Sequence, residues 1–162
     1  METTKQIAVF LENKPGRMAN VLAALAREKV NLSALTVMDS HERTALRMVA
    51  DDPAAARQVV KAMGIPFTET DVVVVELRNQ VGALAHVCEM LAGEHINIDY
   101  AYCSAGGRNG KTLGVFKVSN TEKAMRVLTG SPNNSSRRRM GRLPPMHTRN
   151  AKAGGVPSSQ RR

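Results

Sequence analysis

The sequence is poor in aromatic residues: Phe and Tyr together make up 3% of its 162 residues, and tryptophan is absent. That scarcity excludes a core built on large rings, and it argues against a sheet that stacks nucleic-acid bases on aromatic pairs. With 43% apolar residues, the interior has to be assembled from Val, Leu, Ile, Met and Ala. Cysteine is nearly as scarce. Cys88 and Cys103 are the only two, without the paired spacing that zinc sites use, and they read as buried reduced thiols. No stretch approaches the roughly 18 apolar residues that a bilayer crossing needs. The polar start Met-Glu-Thr-Thr-Lys-Gln fits no leader peptide. The expectation is a soluble, cytoplasmic chain with no membrane partner.

Acidic residues are missing from one region only. Residues 131–162 hold eight Lys and Arg and no Asp or Glu, which leaves 15 basic against 14 acidic residues before them. The net charge of +9 therefore belongs to the C-terminal stretch, and the rest is nearly neutral. That stretch also holds Arg137-Arg138-Arg139, four of the seven prolines and no apolar periodicity. It cannot bury enough apolar surface to offset the entropy of ordering, so it reads as a disordered basic tail. Arginine clusters neutralise phosphates, which makes nucleic-acid binding through this tail the alternative function.

What the chain does have is an internal duplication. Asn13-Lys14-Pro15-Gly16-Arg17-Met18 is echoed 66 residues later by Asn79-Gln80-Val81-Gly82-Ala83-Leu84. The register holds onward from Ala19 with Ala85 through Val21 with Val87, Leu25 with Leu91 and Asn31 with Asn97. After an insertion near Gly106-Gly107 it resumes at 68, pairing Thr44 with Thr112, Met48 with Phe116 and Ala56 with Ala124. Two copies of one small unit are expected, side by side.

The first copy opens with an apolar strand over 5–12. The glycine turn follows, then an amphipathic helix from about 17 to 29 whose Met18, Val21, Leu22 and Leu25 share a face. Strands over 32–39 and 43–50 come next, the latter with Leu46, Met48 and Ala50 on one face. Asp52 before Pro53 is an N-cap with proline at the first helical position, and Gly64 ends that helix. Residues 67–77 must both close the first unit briefly and open the second. The second copy then runs through a helix over 82–93, a strand over 97–103, a glycine-rich hairpin over 105–110, a strand over 112–119 and a helix over 121–128. A fourth strand is not expected in it, because arginine-rich text of the kind a shifted reading frame would also produce stands in its place. The domain boundaries follow as 1–70, 71–130 and the tail.

Each glycine turn leaves a helix start uncovered. The first N–H groups of a helix lack intrahelical partners and carry the positive end of its dipole, a combination that suits a carboxylate or phosphate. A tight turn before a helix is the plain alternative for either glycine alone. Arg17 opposes the dipole at a first turn, so an anionic group is a reason to keep it. Met18 and Leu84 read as core before pocket. No catalytic constellation or metal set is visible: His41, His86 and His95 stand singly, the serines lack a base, and the 106–110 glycines lack the Lys-Ser/Thr of a phosphate loop.

With strand-helix-strand-strand-helix twice over and an N-x-x-G-x-[LM] turn in each copy, the chain resembles the tandem form of the ACT domain family across residues 5 to about 128. The resemblance implies an α+β fold of two ferredoxin-like βαββαβ units side by side. Each would have an antiparallel sheet in order 4-1-3-2 with its helices on one face. It further implies a regulatory, non-catalytic protein that needs no cofactor. A small amino acid would bind where the first turn of one unit meets its neighbour, and the partner would be a second copy or an enzyme of amino-acid metabolism. By position the implied contacts are Asn13, Pro15, Gly16, Arg17 and Met18, then Asn79, Val81, Gly82, Ala83 and Leu84. Val81 stands where the family often has proline. Asn31 and Asn97 are secondary candidates for recognising a ligand side chain.

Overall fold

The structure is a computed structural model and describes residues 1–40, 43–107 and 111–130. In chain order its elements are β1 (Glu2–Glu12), α1 (Arg17–Arg27), β2 (Leu32–Ser40), β3 (Arg43–Ala50), α2 (Pro53–Ala62), β4 (Phe67–Arg78), α3 (Ala83–Gly93), β5 (Ile98–Gly107), β6 (Lys111–Val118) and α4 (Thr121–Gly130). The expected basic tail, and with it the nucleic-acid alternative, lies outside the described residues. So do His41 and the tip of the glycine-rich hairpin.

The six strands form one antiparallel sheet in the order β2-β3-β1-β4-β6-β5. Both copies share it. β1 and β4 lie side by side in its centre, with Lys5 opposite Asp71 and Gln6 through Val9 opposite Thr70 through Phe67. Lys5 and Asp71 are themselves repeat counterparts, so a local two-fold axis passes between them; their side chains form an ion pair at 2.7 Å. The symmetry explains how each unit acquires four strands. Residues 67–70 of β4 serve as the fourth strand of the first unit. Glu2, Thr3 and Thr4 pair with Val74, Val73 and Val72, and so stand where the second unit would place its own fourth strand. Each half thus has the order 4-1-3-2, and the sheet positions are filled without residues 131–162.

Alternation along the strands decides which side the helices cover. Ile7, Val9, Leu11, Leu46, Met48 and Ala50 pack against Val21 and Leu25 of α1 and Ala56, Val59 and Val60 of α2. Val73, Val75, Leu77, Phe116 and Val118 do the same under Val87 and Leu91 of α3 and Ala124 and Leu128 of α4. Because Thr3 and Ile7 of β1 share the face of Val73 and Glu69 on β4, all four helices lie on one side of the sheet. A third, smaller apolar layer of Ala34, Val49, Val72, Val74 and Val115 occupies the opposite side. There the sheet curls until its edge strands β2 and β5 approach each other.

Helix ends follow local chemistry. The Asp52 carboxylate accepts from the N–H groups of Ala54 and Ala55 at 3.0 Å each, with Pro53 as the first helical residue. Gly64 takes φ +66 just beyond α2. α1 stops at Arg27, two residues short of the expected 29. Its end is marked by Lys29 in the left-handed region, and His95 does the same after α3, so even this departure is duplicated.

The thiols differ from expectation. Cys88 is half-buried and Cys103 is exposed. Cys103 sits on the edge strand β5 opposite Gly114, beyond the cover of the helices. Partial desolvation, and after it the neighbouring Cys88, raise its thiol above the ordinary range. Among the described residues no helix is long and apolar enough to cross a membrane, and no cluster of His, Cys, Asp and Glu is placed to hold a metal ion.

Candidate functional site

The two glycine turns have nearly the same backbone. Gly16 adopts φ 83 and ψ −16, Gly82 φ 86 and ψ −8, both left-handed. In the first turn the Lys14 N–H donates to Glu12 O at 2.8 Å, Arg17 N–H to Lys14 O at 3.3 Å and Asn20 N–H to Gly16 O at 2.9 Å. In the second the counterparts are Gln80 to Arg78 at 2.8 Å, Ala83 to Gln80 at 3.2 Å and His86 to Gly82 at 2.9 Å. Only a residue free of a Cβ penalty turns the chain this way at no strain. An added Cβ would meet nothing within 4 Å at either position, so the requirement for glycine is conformational and not one of space.

Neither helix start is capped by a side chain. Within the described residues, no hydrogen bond is made by the N–H groups of Met18 and Ala19, or of Leu84 and Ala85. These amides point out of the helix starts toward solvent. The whole first turn, 12–20, is exposed. Met18 and Leu84, read as core, are 42% and 44% exposed. They stand in the first helical turn, ahead of the point where the helix crosses the sheet, so the apolar stripe overshoots the buried interface. Val81 is fully exposed.

Side chains make the turns unlike. In the first, Glu12 accepts from Lys14 Nζ at 2.9 Å and from Arg17 Nη2 at 3.0 Å, and these cations hold its carboxyl below the usual range. The anion that Arg17 faces is thus Glu12. In the second turn the counterparts of Glu12, Lys14 and Arg17 are Arg78, Gln80 and Ala83, with no carboxylate among them. A groove of about 400 Å³ lies beside the first turn, lined by Phe10, Leu11, Glu12, Arg17 and Asn20 on one side and by residues 63–66 on the other. A second groove, of about 430 Å³, runs between α1 and α2 at the far end of α1 and does not reach the turn.

Asn31 and Asn97 are engaged within the chain. Asn31 Nδ2 donates to Asp51 at 2.7 Å, and Ser33 donates to the other carboxylate oxygen, which together lower the Asp51 carboxyl below its ordinary range. Asn97 donates to Asp99 at 3.0 Å. Both asparagines serve to start the second strand of their unit. Sequence reasoning missed Asp51 in this role. Its signal was Asp51-Asp52, in which only the second acid is needed for the cap.

The turns also stand apart. β1 and β4 are antiparallel, and Glu12 and Arg78 each lie seven residues from the local axis in opposite directions. At about 3.3 Å per residue the turns are roughly 45 Å apart along the strand pair. They do not meet each other, and the neighbour of the first turn inside the chain is the 63–66 loop of its own unit.

Comparison with known proteins bears on the family and the fold. The model of the ACT domain pair family matches residues 2–133. Among solved structures, protein BT0572 from Bacteroides thetaiotaomicron is 37% identical over 79% of this chain and 88% of that one, with a TM-score of 0.73. The ligand-free regulatory subunit of aspartate kinase from Thermus thermophilus is 15% identical over 80% of this chain and 97% of that one, with a TM-score of 0.56. Its counterpart from Thermus flavus is 17% identical over 80% and 94%, with a TM-score of 0.54. No curated protein matches at a significant level.

Proposed function

The chain belongs to the ACT domain pair family, and on that premise we propose that it is a non-catalytic sensor that binds a small amino acid at its glycine turns and passes the state to a partner. One observation carries the reading: two uncapped helix starts with the same left-handed glycine and the same hydrogen bonds, open to solvent at both positions. Main-chain amides there take the α-carboxylate of the ligand. At the first turn the Glu12 carboxylate, which lines the 400 Å³ groove, and the amide of Asn13 next to it in the chain offer acceptors for its ammonium.

Because the two turns lie at opposite ends of the strand pair, a neighbour that completes either one comes from outside the chain. A second copy fills this role, or an enzyme of amino-acid metabolism. Two of the solved structures that share the fold are regulatory subunits of aspartate kinase. Calorimetric titration of the full chain with each of the twenty amino acids is the test. At least one is expected to bind, and Gly16→Val, which forces a β-branched residue into φ +83, is expected to weaken that binding at least tenfold with the circular dichroism spectrum retained. Silence from all twenty overturns the reading; unchanged affinity in Gly16→Val removes the first turn from it.

A further inference from the structure

A polar cluster on the side of the sheet away from the helices is unused by the reading above. Gln6 on β1 is 1% exposed, the one buried polar residue among those described. Its Nε2 donates to the Tyr100 hydroxyl at 2.8 Å, and its Oε1 accepts from the Tyr102 hydroxyl at 3.1 Å. The Arg47 guanidinium lies over the Tyr100 ring with Cζ 3.9 Å from the centroid, and its Nη1 donates to Met38 Sδ at 2.7 Å. Arg47 takes part in none of the ion pairs among the described residues. These five side chains come from β1, β2, β3 and β5.

The place they occupy is a seam. β2 and β5 are the edges of the sheet, each hydrogen-bonded to one neighbour only. Curling brings them together over β1 and β4 with no backbone ladder between them. Among the described residues no main-chain ladder closes this contact, whereas neighbours within the sheet are joined by main-chain bonds. We propose that the seam is a latch: β5, still paired to β6, lifts away from Gln6 and Arg47 while the helices and the β1–β4 ladder stay folded, giving the protein a closed and an open form.

The duplication supplies the argument. The repeat counterpart of Gln6 is Val72, which is 0% exposed, so the fold accepts an aliphatic residue at this position. A valine there favours permanent closure, because opening wets it. A glutamine bonded to two hydroxyls exchanges those partners for water at small net loss, so the polar part of the seam opens cheaply. The stacked guanidinium is half-buried and enters none of the ion pairs among the described residues, so lifting β5 costs it the ring contact and no charge partner there. What keeps the closed form dominant is the thin apolar layer of Ala34, Val49, Val72, Val74 and Val115, which opening exposes. Subglobal openings of such weakly tied edges are the ordinary low-stability end of a fold.

The chain provides its own reporter. Tyr100 and Tyr102 are its only tyrosines and it has no tryptophan, so intrinsic fluorescence reads the seam while far-ultraviolet circular dichroism reads helices and ladders. In a urea titration of the full chain, the fluorescence transition is expected at lower urea than the dichroism transition. Gln6→Leu should move the first and leave the second. Tyr102→Phe, which keeps the ring and drops one hydroxyl, should do the same and speed hydrogen exchange of the β5 amides by about five- to tenfold. Coincident transitions in the unaltered chain and in Tyr102→Phe overturn the latch. Separate transitions that neither substitution shifts overturn the role of Gln6 in it.

Discussion

Deleting residues 2–4, so that Met1 precedes Lys5, tests the shared-strand arrangement directly. The facing residues of Val74 and Val73, Glu2 and Thr3, disappear, and the pair of Thr4 with Val72 is replaced by the charged amino terminus of Met1. An antiparallel ladder averages about one hydrogen bond per facing pair, each with a net contribution of about 1 kcal/mol. Glu2 and Thr3 are exposed, so little apolar burial is lost with them. The expected destabilisation is therefore about 2–3 kcal/mol, a large share of the 5–15 kcal/mol typical of a domain. With an m-value of about 1–3 kcal/mol/M, the urea midpoint falls by about 1–3 M. Truncation after Gly130 removes none of the six described strands and is expected to change stability by less than about 0.5 kcal/mol. Urea unfolding followed by circular dichroism on both variants decides the matter. If the deletion shifts stability by less than about 0.5 kcal/mol while the truncation lowers it by 2 kcal/mol or more, the second unit takes its fourth strand from the C-terminal residues and the assignment of residues 2–5 is refuted.

Lys29 and His95 hold φ 57 and 55 directly after the C-caps of α1 and α3. Replacement by glycine relieves a left-handed strain of about 1 kcal/mol or more per site, partly offset by the looser unfolded chain, so each should raise stability by about 0.5–1 kcal/mol and the two should add; a lowered melting temperature for either contradicts the cap geometry. Tyr102, whose hydroxyl is held neutral above its ordinary value of 10 chiefly by burial, contributes stability that is complete below about pH 10 and is lost as pH rises beyond it. Urea midpoints measured from pH 8 to 11 should fall more steeply for the unaltered chain than for Tyr102→Phe, and equal slopes would place Tyr102 in solvent.

The elements were legible where local chemistry punctuates the chain. Asp52-Pro53 starts α2 and Gly64 ends it, and the shared face of Leu46, Met48 and Ala50 reappears at Gly114, Phe116 and Val118, all six buried. Periodicity identifies a helical face but not how far along it the sheet extends, which is why Met18 and Leu84 carry a core pattern in an exposed turn. It also has nothing to say about Glu-Thr-Thr-Lys at residues 2–5. A polar tetrapeptide gives no apolar signal, and its place in the centre of the sheet rests on main-chain pairing with Asp71 through Val74, a property every sequence shares. The second unit looked short of a strand because the residues that complete it are the opening residues of β1, in the first unit.

The site divides in the same way. Spacing alone locates both glycine turns, since the left-handed conformation at Gly16 and Gly82 is a backbone demand written in one residue type. Spacing also makes the turns look equivalent, and their side chains make them different. Glu12 gathers Lys14 and Arg17 at the first turn, whereas Arg78, Gln80 and Ala83 leave the second with a cation and no carboxylate. Their separation is a matter of topology, and no motif contains it: the antiparallel pairing of Lys5 with Asp71 sends the two turns to opposite ends. Duplication placed side by side about a two-fold axis therefore gives one chain two turns of like backbone and unlike side chains, too far apart for either to complete the other.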